Sequence, residues 1–178
     1  MTIRWARPAL SDSDRQRALA ALSPRELDRL TGEADRDTFL QGRLMLRDLA
    51  AELGEPRAII DAICSDCGGP HGAPVVRDSE LRVTLSRCAE AVVVAGTRGR
   101  GIGVDVELAG ADVAGVGSIA RWTSVEAVLK ADGRGLRVDP DAVTIDGDVA
   151  EISGSVIRYR ILTPELDPRL EVRIAVEL

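Results

Sequence analysis

Apolar positions recur at helical spacing through the first third of the chain and at alternate positions through most of the rest. Ser11 to Leu22 reads as a short helix with Ser/Asp start signals. Ser23-Pro24-Arg25-Glu26 has the form of a capping box with proline in the first turn, so a second short helix runs to about Leu30. Between Glu33 and Leu53, Phe39, Leu40, Leu44, Leu49 and Leu53 give a longer helix its apolar face, and Gly54 and Pro56 end it. Arg36, Arg43 and Arg47 share one stripe of that helix, a pattern that is ordinarily a solvated face. Cys64 to Pro74 is a loop by its glycine and proline content.

The period then changes to two. Leu81 to Leu85 alternates, Ala91 to Ala95 is continuously apolar, and Ile102 to Val106 is apolar again. These read as neighbouring strands with the middle one buried on both faces. Ala109 to Gly117 is small and flexible, and Ile119 to Ala131 is helical, stopped by Gly133 and Gly135. Alternation at Ile157, Tyr159 and Ile161, and again from Leu170 to Leu178, makes the C-terminal part strand-like. Helix, strands, helix, strands thus appears once in each half, which predicts an α+β fold of two similar lobes, 1–100 and 101–178, within one structural unit.

Composition narrows this picture. The 178 residues are 45% hydrophobic and 29% charged, so a packed core is expected and disorder is not. Aromatics are scarce, so the core must be aliphatic. A net charge of −6 argues against a nucleic-acid partner. No secretion signal or membrane-spanning run is visible, and the odd number of cysteines, three, points to reduced thiols and a cytoplasmic location. Of 23 basic residues all but Lys130 are arginine, and His71 is the only histidine. An ammonium can give up its proton and a guanidinium effectively cannot, so a lone lysine in an arginine background either marks a position where arginine does not serve or is a chance survivor on the surface, and composition alone does not separate the two.

Three groups carry chemistry. In Gly101-Ile102-Gly103-Val104-Asp105-Val106-Glu107 the two acids are two apart on a strand and project together; such a pair suits a hard cation such as Mg²⁺, although taken alone the alternation fits a strand end entering solvent better. Trp122, Glu126 and Lys130 fall on one face of the following helix. Cys64-x-x-Cys67 with His71 has metal-ligand spacing, but structural zinc sites take four ligands and only Cys88 is left to approach, so this loop is not expected to hold metal.

Together these segments resemble the Sfp-type 4′-phosphopantetheinyl transferase superfamily. The resemblance is carried by Arg36-x-x-Phe39-Leu40-x-Gly42-Arg43, Cys64-x-x-Cys67-Gly68-x-x-His71-Gly72-x-Pro74 and Val83-Thr84-Leu85-Ser86 with its following strand. It continues through Gly-Ile-Gly-Val-Asp105-Val-Glu107 and Trp122-x-x-x-Glu126-Ala-x-x-Lys130-Ala-x-Gly-x-Gly-Leu, in that order. It implies two lobes related by a pseudo-two-fold axis with the active site at their interface. It implies transfer of the phosphopantetheine arm of coenzyme A to a serine of an acyl or peptidyl carrier protein, with Mg²⁺ as cofactor and no membrane partner. Asp105, Glu107 and Glu126 would hold the metal, Glu126 and Lys130 would be catalytic, and Arg36, Arg43, His71, Gly72, Ser86 and Arg87 would bind coenzyme A. The chain departs from the family pattern at Ala73, where a basic residue is usual, at Arg87 in place of histidine, and at Val125 in place of lysine. The segment 108–125 is also short, which reduces the carrier-docking surface. Those departures support a second reading: a homologue without the parent activity, binding coenzyme A or a carrier as an accessory protein or serving another reaction.

Overall fold

The computed structural model describes residues 1–110, 112–113 and 117–178. Strand β1 (Thr2–Ala6) is followed by helices α1 (Asp12–Ala21), α2 (Pro24–Gly32) and α3 (Arg36–Glu52). Each helix starts on a side-chain cap. Ser11 accepts from the Asp14 N–H, Ser23 and Glu26 close the expected capping box, and Asp35 accepts from the Thr38 N–H. Short strands β2 (Ile60–Asp61) and β3 (Val75–Val76) flank the cysteine-containing loop. Then come β4 (Leu81–Cys88), β5 (Ala91–Arg98) and β6 (Ile102–Leu108). Two-residue strands β7 (Asp112–Val113) and β8 (Gly117–Ser118) precede α4 (Ile119–Asp132), and β9 (Val143–Asp146), β10 (Val149–Ile152), β11 (Arg158–Leu162) and β12 (Leu170–Glu177) complete the chain. The fold is mixed α+β. Among the described residues no helix is long and apolar enough to cross a membrane. The expectation for 109–117 concerns a segment that lies partly outside the described residues.

The strands form two main antiparallel sheets, ordered β1-β5-β4 and β6-β12-β11-β10-β9. Ala91 to Gly96 of β5 is buried throughout, as its unbroken apolar run requires. The expected neighbour relation of the three central strands holds only in part. β5 is bonded to β1 and β4, whereas β6 takes its ladder from β12 at the far end of the chain, with Asp105 opposite Arg173 and Glu107 opposite Glu171. β4 and β6 meet through side chains: Thr84 Oγ1 accepts from the Val104 N–H at 3.2 Å. A polar side chain thereby satisfies a backbone donor on the boundary between the sheets.

The hydrophobic core is continuous across residue 100. Ala91, Val93 and Ala95 of β5 pack with Val104 and Val106 of β6 and Val172 and Ile174 of β12. α3 covers β4 through Leu46 and Leu49, and α4 covers β9 to β11 through Val125, Val128 and Leu129. The interior is aliphatic apart from Phe39 and Tyr159. Tyr159, the largest fully buried side chain, keeps its hydroxyl satisfied by donating to Asp132 at 3.1 Å.

Candidate functional site

The glycines of Gly101-Ile102-Gly103 let α4 lie directly on β6. A Cβ at Gly103 would stand 2.0 Å from the Ala127 carbonyl oxygen and 2.8 Å from Lys130 Cβ, and one at Gly101 would stand 2.5 Å from the Ala131 carbonyl oxygen. No side chain fits in either space. This contact brings the polar face of α4 onto the acidic end of the strand.

Lys130 Nζ donates to Asp105 Oδ1 at 2.6 Å and to Ser86 Oγ at 3.1 Å, and it stands 4.0 Å from Glu126 Oε2. Ser86 Oγ in turn donates to Asp105 Oδ1 at 2.8 Å. The Asp105 side chain is 6% exposed, and its other oxygen, Oδ2, is buried with no hydrogen-bond partner. An orphaned buried carboxylate oxygen costs on the order of 1–3 kcal/mol or more. Burial pushes Glu126 above the ordinary carboxyl range; Lys130 pulls it back, and Asp105 and Glu107 push it further up. Glu107 is likewise raised by burial and by Asp105, against the pull of Lys130. Across the ladder from Glu107 stands Glu171, paired with Arg173 on its own strand.

The site is therefore crowded with carboxylates and carries one ammonium. An all-oxygen donor set with an unpartnered buried oxygen suits a hard dication. The carboxylates are spread around Lys130. Among the described residues, only Cys64, Cys67 and His71 place three potential ligand atoms all within 4.8 Å of one another.

A cleft of about 600 Å³ opens beside this cluster. Arg29, Arg43, Arg82, Arg87, His71 and Lys130 line it, with Gly72 and Ala73 in the loop wall. Asp105, Glu107 and Glu126 are not on its wall; Lys130 belongs to both the cleft and the carboxylate cluster. Of the residues expected to bind a nucleotide, Arg43, His71, Gly72 and Arg87 line the cleft. Ser86 lies behind the wall, bonded to Asp105 and Lys130. Arg36 is exposed at the start of α3, two turns before Arg43 on the same face, and does not line this cleft.

The arginine stripe of α3 is also not the solvated face its spacing suggested. Arg43 is buried, 3.2 Å from Glu26 Oε1 and stacked over Phe39 at 5.1 Å, and burial pushes its guanidinium down to about 10, still charged at neutral pH. Arg47 pairs with the same glutamate at 3.0 Å. Arg87 and Arg29 share Glu33, each at 2.8 Å. Burial pushes the Glu33 carboxyl up, but hydrogen bonds from both arginines outweigh it and hold it below its ordinary value.

Two cleft residues were missed in the sequence. Arg29 reads there as half of an ordinary i, i+4 pair with Glu33. Arg82 is two and four positions before Thr84 and Ser86 on one strand face, and that alternation was the available signal. Of the departures from the family pattern, Ala73 is exposed on the cleft wall, and Val125 is fully buried in the α4 core, where a lysine could not sit. No protein-family model matches the chain, and no curated protein matches it either.

Proposed function

We propose that the chain is a divergent phosphopantetheinyl transferase, built as two α+β lobes related by a pseudo-two-fold axis with the reaction centre at their junction. One observation carries the reading: the only lysine of the chain stands on the cleft wall, 2.6 Å from Asp105 and beside Glu126. The order of the sequence motifs supports it.

The reaction moves a phosphoryl-linked group. The serine hydroxyl of an acyl or peptidyl carrier protein attacks the β-phosphorus of coenzyme A, a new phosphorus–oxygen bond forms, the bond to the bridging oxygen breaks, and 3′,5′-ADP leaves. Such transfer needs in-line positioning and charge neutralisation and little else. Bound Mg²⁺, held by Asp105, Glu107 and Glu126, would supply neutralisation at the pyrophosphate. Glu126 accepts the serine proton, directly or through water. Lys130 neutralises the departing phosphate. Arg43, Arg87, His71 and Gly72 form the cradle for the nucleotide, with Arg29 and Arg82 added to it.

The second reading, an accessory or repurposed coenzyme A-binding protein, draws on a specific feature. Arg43 and Arg87 are already paired with Glu26 and Glu33, and Ala73 offers no cation, so the cradle has less free positive charge than its arginine count suggests.

The test is incubation with coenzyme A, Mg²⁺ and a panel of apo carrier proteins, read by intact mass. A phosphopantetheine-sized gain that disappears with Lys130→Ala supports the transferase. Measurable coenzyme A binding with no gain on any carrier supports the second reading.

A further inference from the structure

The loop between β2 and β3 is wound around three potential metal ligands. Cys67 Sγ lies 3.0 Å from His71 Nε2, and the Cys64 sulfur falls within 4.8 Å of both. The ligand atoms of a tetrahedral zinc ion, with zinc–sulfur near 2.3 Å and zinc–nitrogen near 2.0–2.1 Å, stand roughly 3.5–3.8 Å apart. The three ligand atoms, on exposed Cys67 and His71 and half-buried Cys64, lie close to those separations.

The backbone is also arranged for thiolates. The Gly69 N–H donates to Cys67 Sγ at 3.4 Å. The turn that aims it closes with Gly68 N–H on Cys64 O at 2.9 Å and Cys64 N–H on Gly69 O at 2.8 Å. It requires Gly68 at a φ of +68°, a conformation that side-chain-bearing residues rarely adopt. Two sulfurs and an imidazole select zinc over magnesium or calcium.

We propose that Cys64, Cys67 and His71 form a zinc site with three protein ligands and an open fourth position, which fixes the loop that walls the cleft. Cys88 is not the fourth ligand; it packs against the β5–β6–β12 core. Three protein ligands with a water in the fourth place is the arrangement of open zinc sites.

The loop's other contacts explain what the metal would fix. Arg29 donates to Pro70 O at 2.9 Å, and Arg137, just beyond α4, pairs with Asp66 at 2.9 Å. Gly72 passes so close to the backbone of Ile63 that a Cβ would stand 2.2 Å from its carbonyl oxygen. The loop is thus tied to α2 on one side and to the segment after α4 on the other, and His71 and Gly72 line the cleft between them. Zinc on His71 Nε2 leaves Nδ1–H as a donor, the usual division of labour in a metal-bound histidine. The inference does not depend on the transferase reading.

The test is metal content of the reduced protein purified without chelator, followed by titration of the metal-free protein with Zn²⁺ and with Co²⁺ as a spectroscopic probe. The expected result is one zinc per chain and a sulfur-to-cobalt charge-transfer band. Cys64→Ser and Cys67→Ser should each weaken Zn²⁺ binding by more than about 100-fold, exceeding the roughly 10–100-fold typical of outer-shell changes. Cys88→Ser should bind as the parent does, and Zn²⁺ should slow amide exchange across residues 64–74. Folding of each variant is followed by circular dichroism. A reduced, folded parent protein that takes up no Zn²⁺ and shows no cobalt–thiolate band, or one that forms only a Cys64–Cys67 disulfide, overturns the proposal.

Discussion

The oxygen cluster on β6 and α4 and the sulfur cluster on the loop before β3 border the same cleft and are built by opposite means. The first is assembled from residues distant in sequence and seated by backbone packing: Asp105 comes from a strand, Glu126 and Lys130 from a helix, and Gly103 is the space that lets them meet. The second lies within eight consecutive residues, is half exposed, and is shaped by turns and N–H groups of its own loop. Damage to the fold should therefore destroy the oxygen cluster first. Damage to a single side chain should suffice to destroy the sulfur cluster and leave the fold standing.

The sharpest way to break this contrast is Gly103→Ala. The added methyl meets backbone oxygen and nitrogen of α4, not movable side-chain ends. A loss above about 3 kcal/mol is expected, the upper end of overpacking costs. Chemical denaturation measures it; a variant as stable as the parent would mean that α4 is not seated on β6 as described.

Next in size is Lys130→Ala, which leaves Asp105 buried without its cation. Removing one member of a fully buried ion pair costs about 3–5 kcal/mol. Lys130 reaches solvent, so about 2–3 kcal/mol is expected here, a fall in Tm of roughly 5–10 °C. Lys130→Met, which restores no charge, should be equally destabilised if the pairing with Asp105 is the cause, whereas a purely steric role would be rescued.

A smaller effect separates the two clusters by metal. A chelator selective for zinc should speed amide exchange in residues 64–74 and leave the melting of α4 and β6 within about 1 kcal/mol of the untreated protein, as expected for a local opening. If α4 and β6 loosen equally, the two clusters are not independent.

The smallest effect concerns charge crowding, read without Mg²⁺. Glu126 and Glu107 have folded-state values raised above the ordinary 4.5, so the native protein binds protons that the unfolded chain releases. Stability then falls as pH rises from the ordinary glutamate value through the raised one. Glu126→Gln removes one of these groups. The variant should match the parent below the glutamate range and melt higher at neutral pH; a variant that melts lower at neutral pH would show that Lys130 outweighs burial.

The same contrast explains what could be read from sequence. The capping box of α2, the apolar run of β5 and the alternation in β12 are local patterns, and the structure has them where the sequence puts them. The pairing of β6 with β12 was not legible, because a ladder between residues about seventy apart leaves no local trace. Within the candidate site, Asp105 and Glu107 could be placed on one strand face and Glu126 and Lys130 on one helix face. Their meeting through Gly103, and the role of Ser86 behind them, needed the tertiary contact. Arg43 shows the reverse error. Its stripe looked like solvent-facing charge because nothing local announces that Glu26, from the preceding helix, buries against it.

The central claim is that the acidic end of β6, with Glu126 and Lys130, handles a metal-bound pyrophosphate. Calorimetric titration with coenzyme A, in the presence and absence of Mg²⁺, on the parent protein and on Asp105→Asn tests it most directly. The account predicts that Mg²⁺ strengthens coenzyme A binding at least about tenfold, about 1.4 kcal/mol, and that this gain disappears in the folded Asp105→Asn variant. Binding of equal strength with and without Mg²⁺, or a gain that survives in Asp105→Asn, would contradict it.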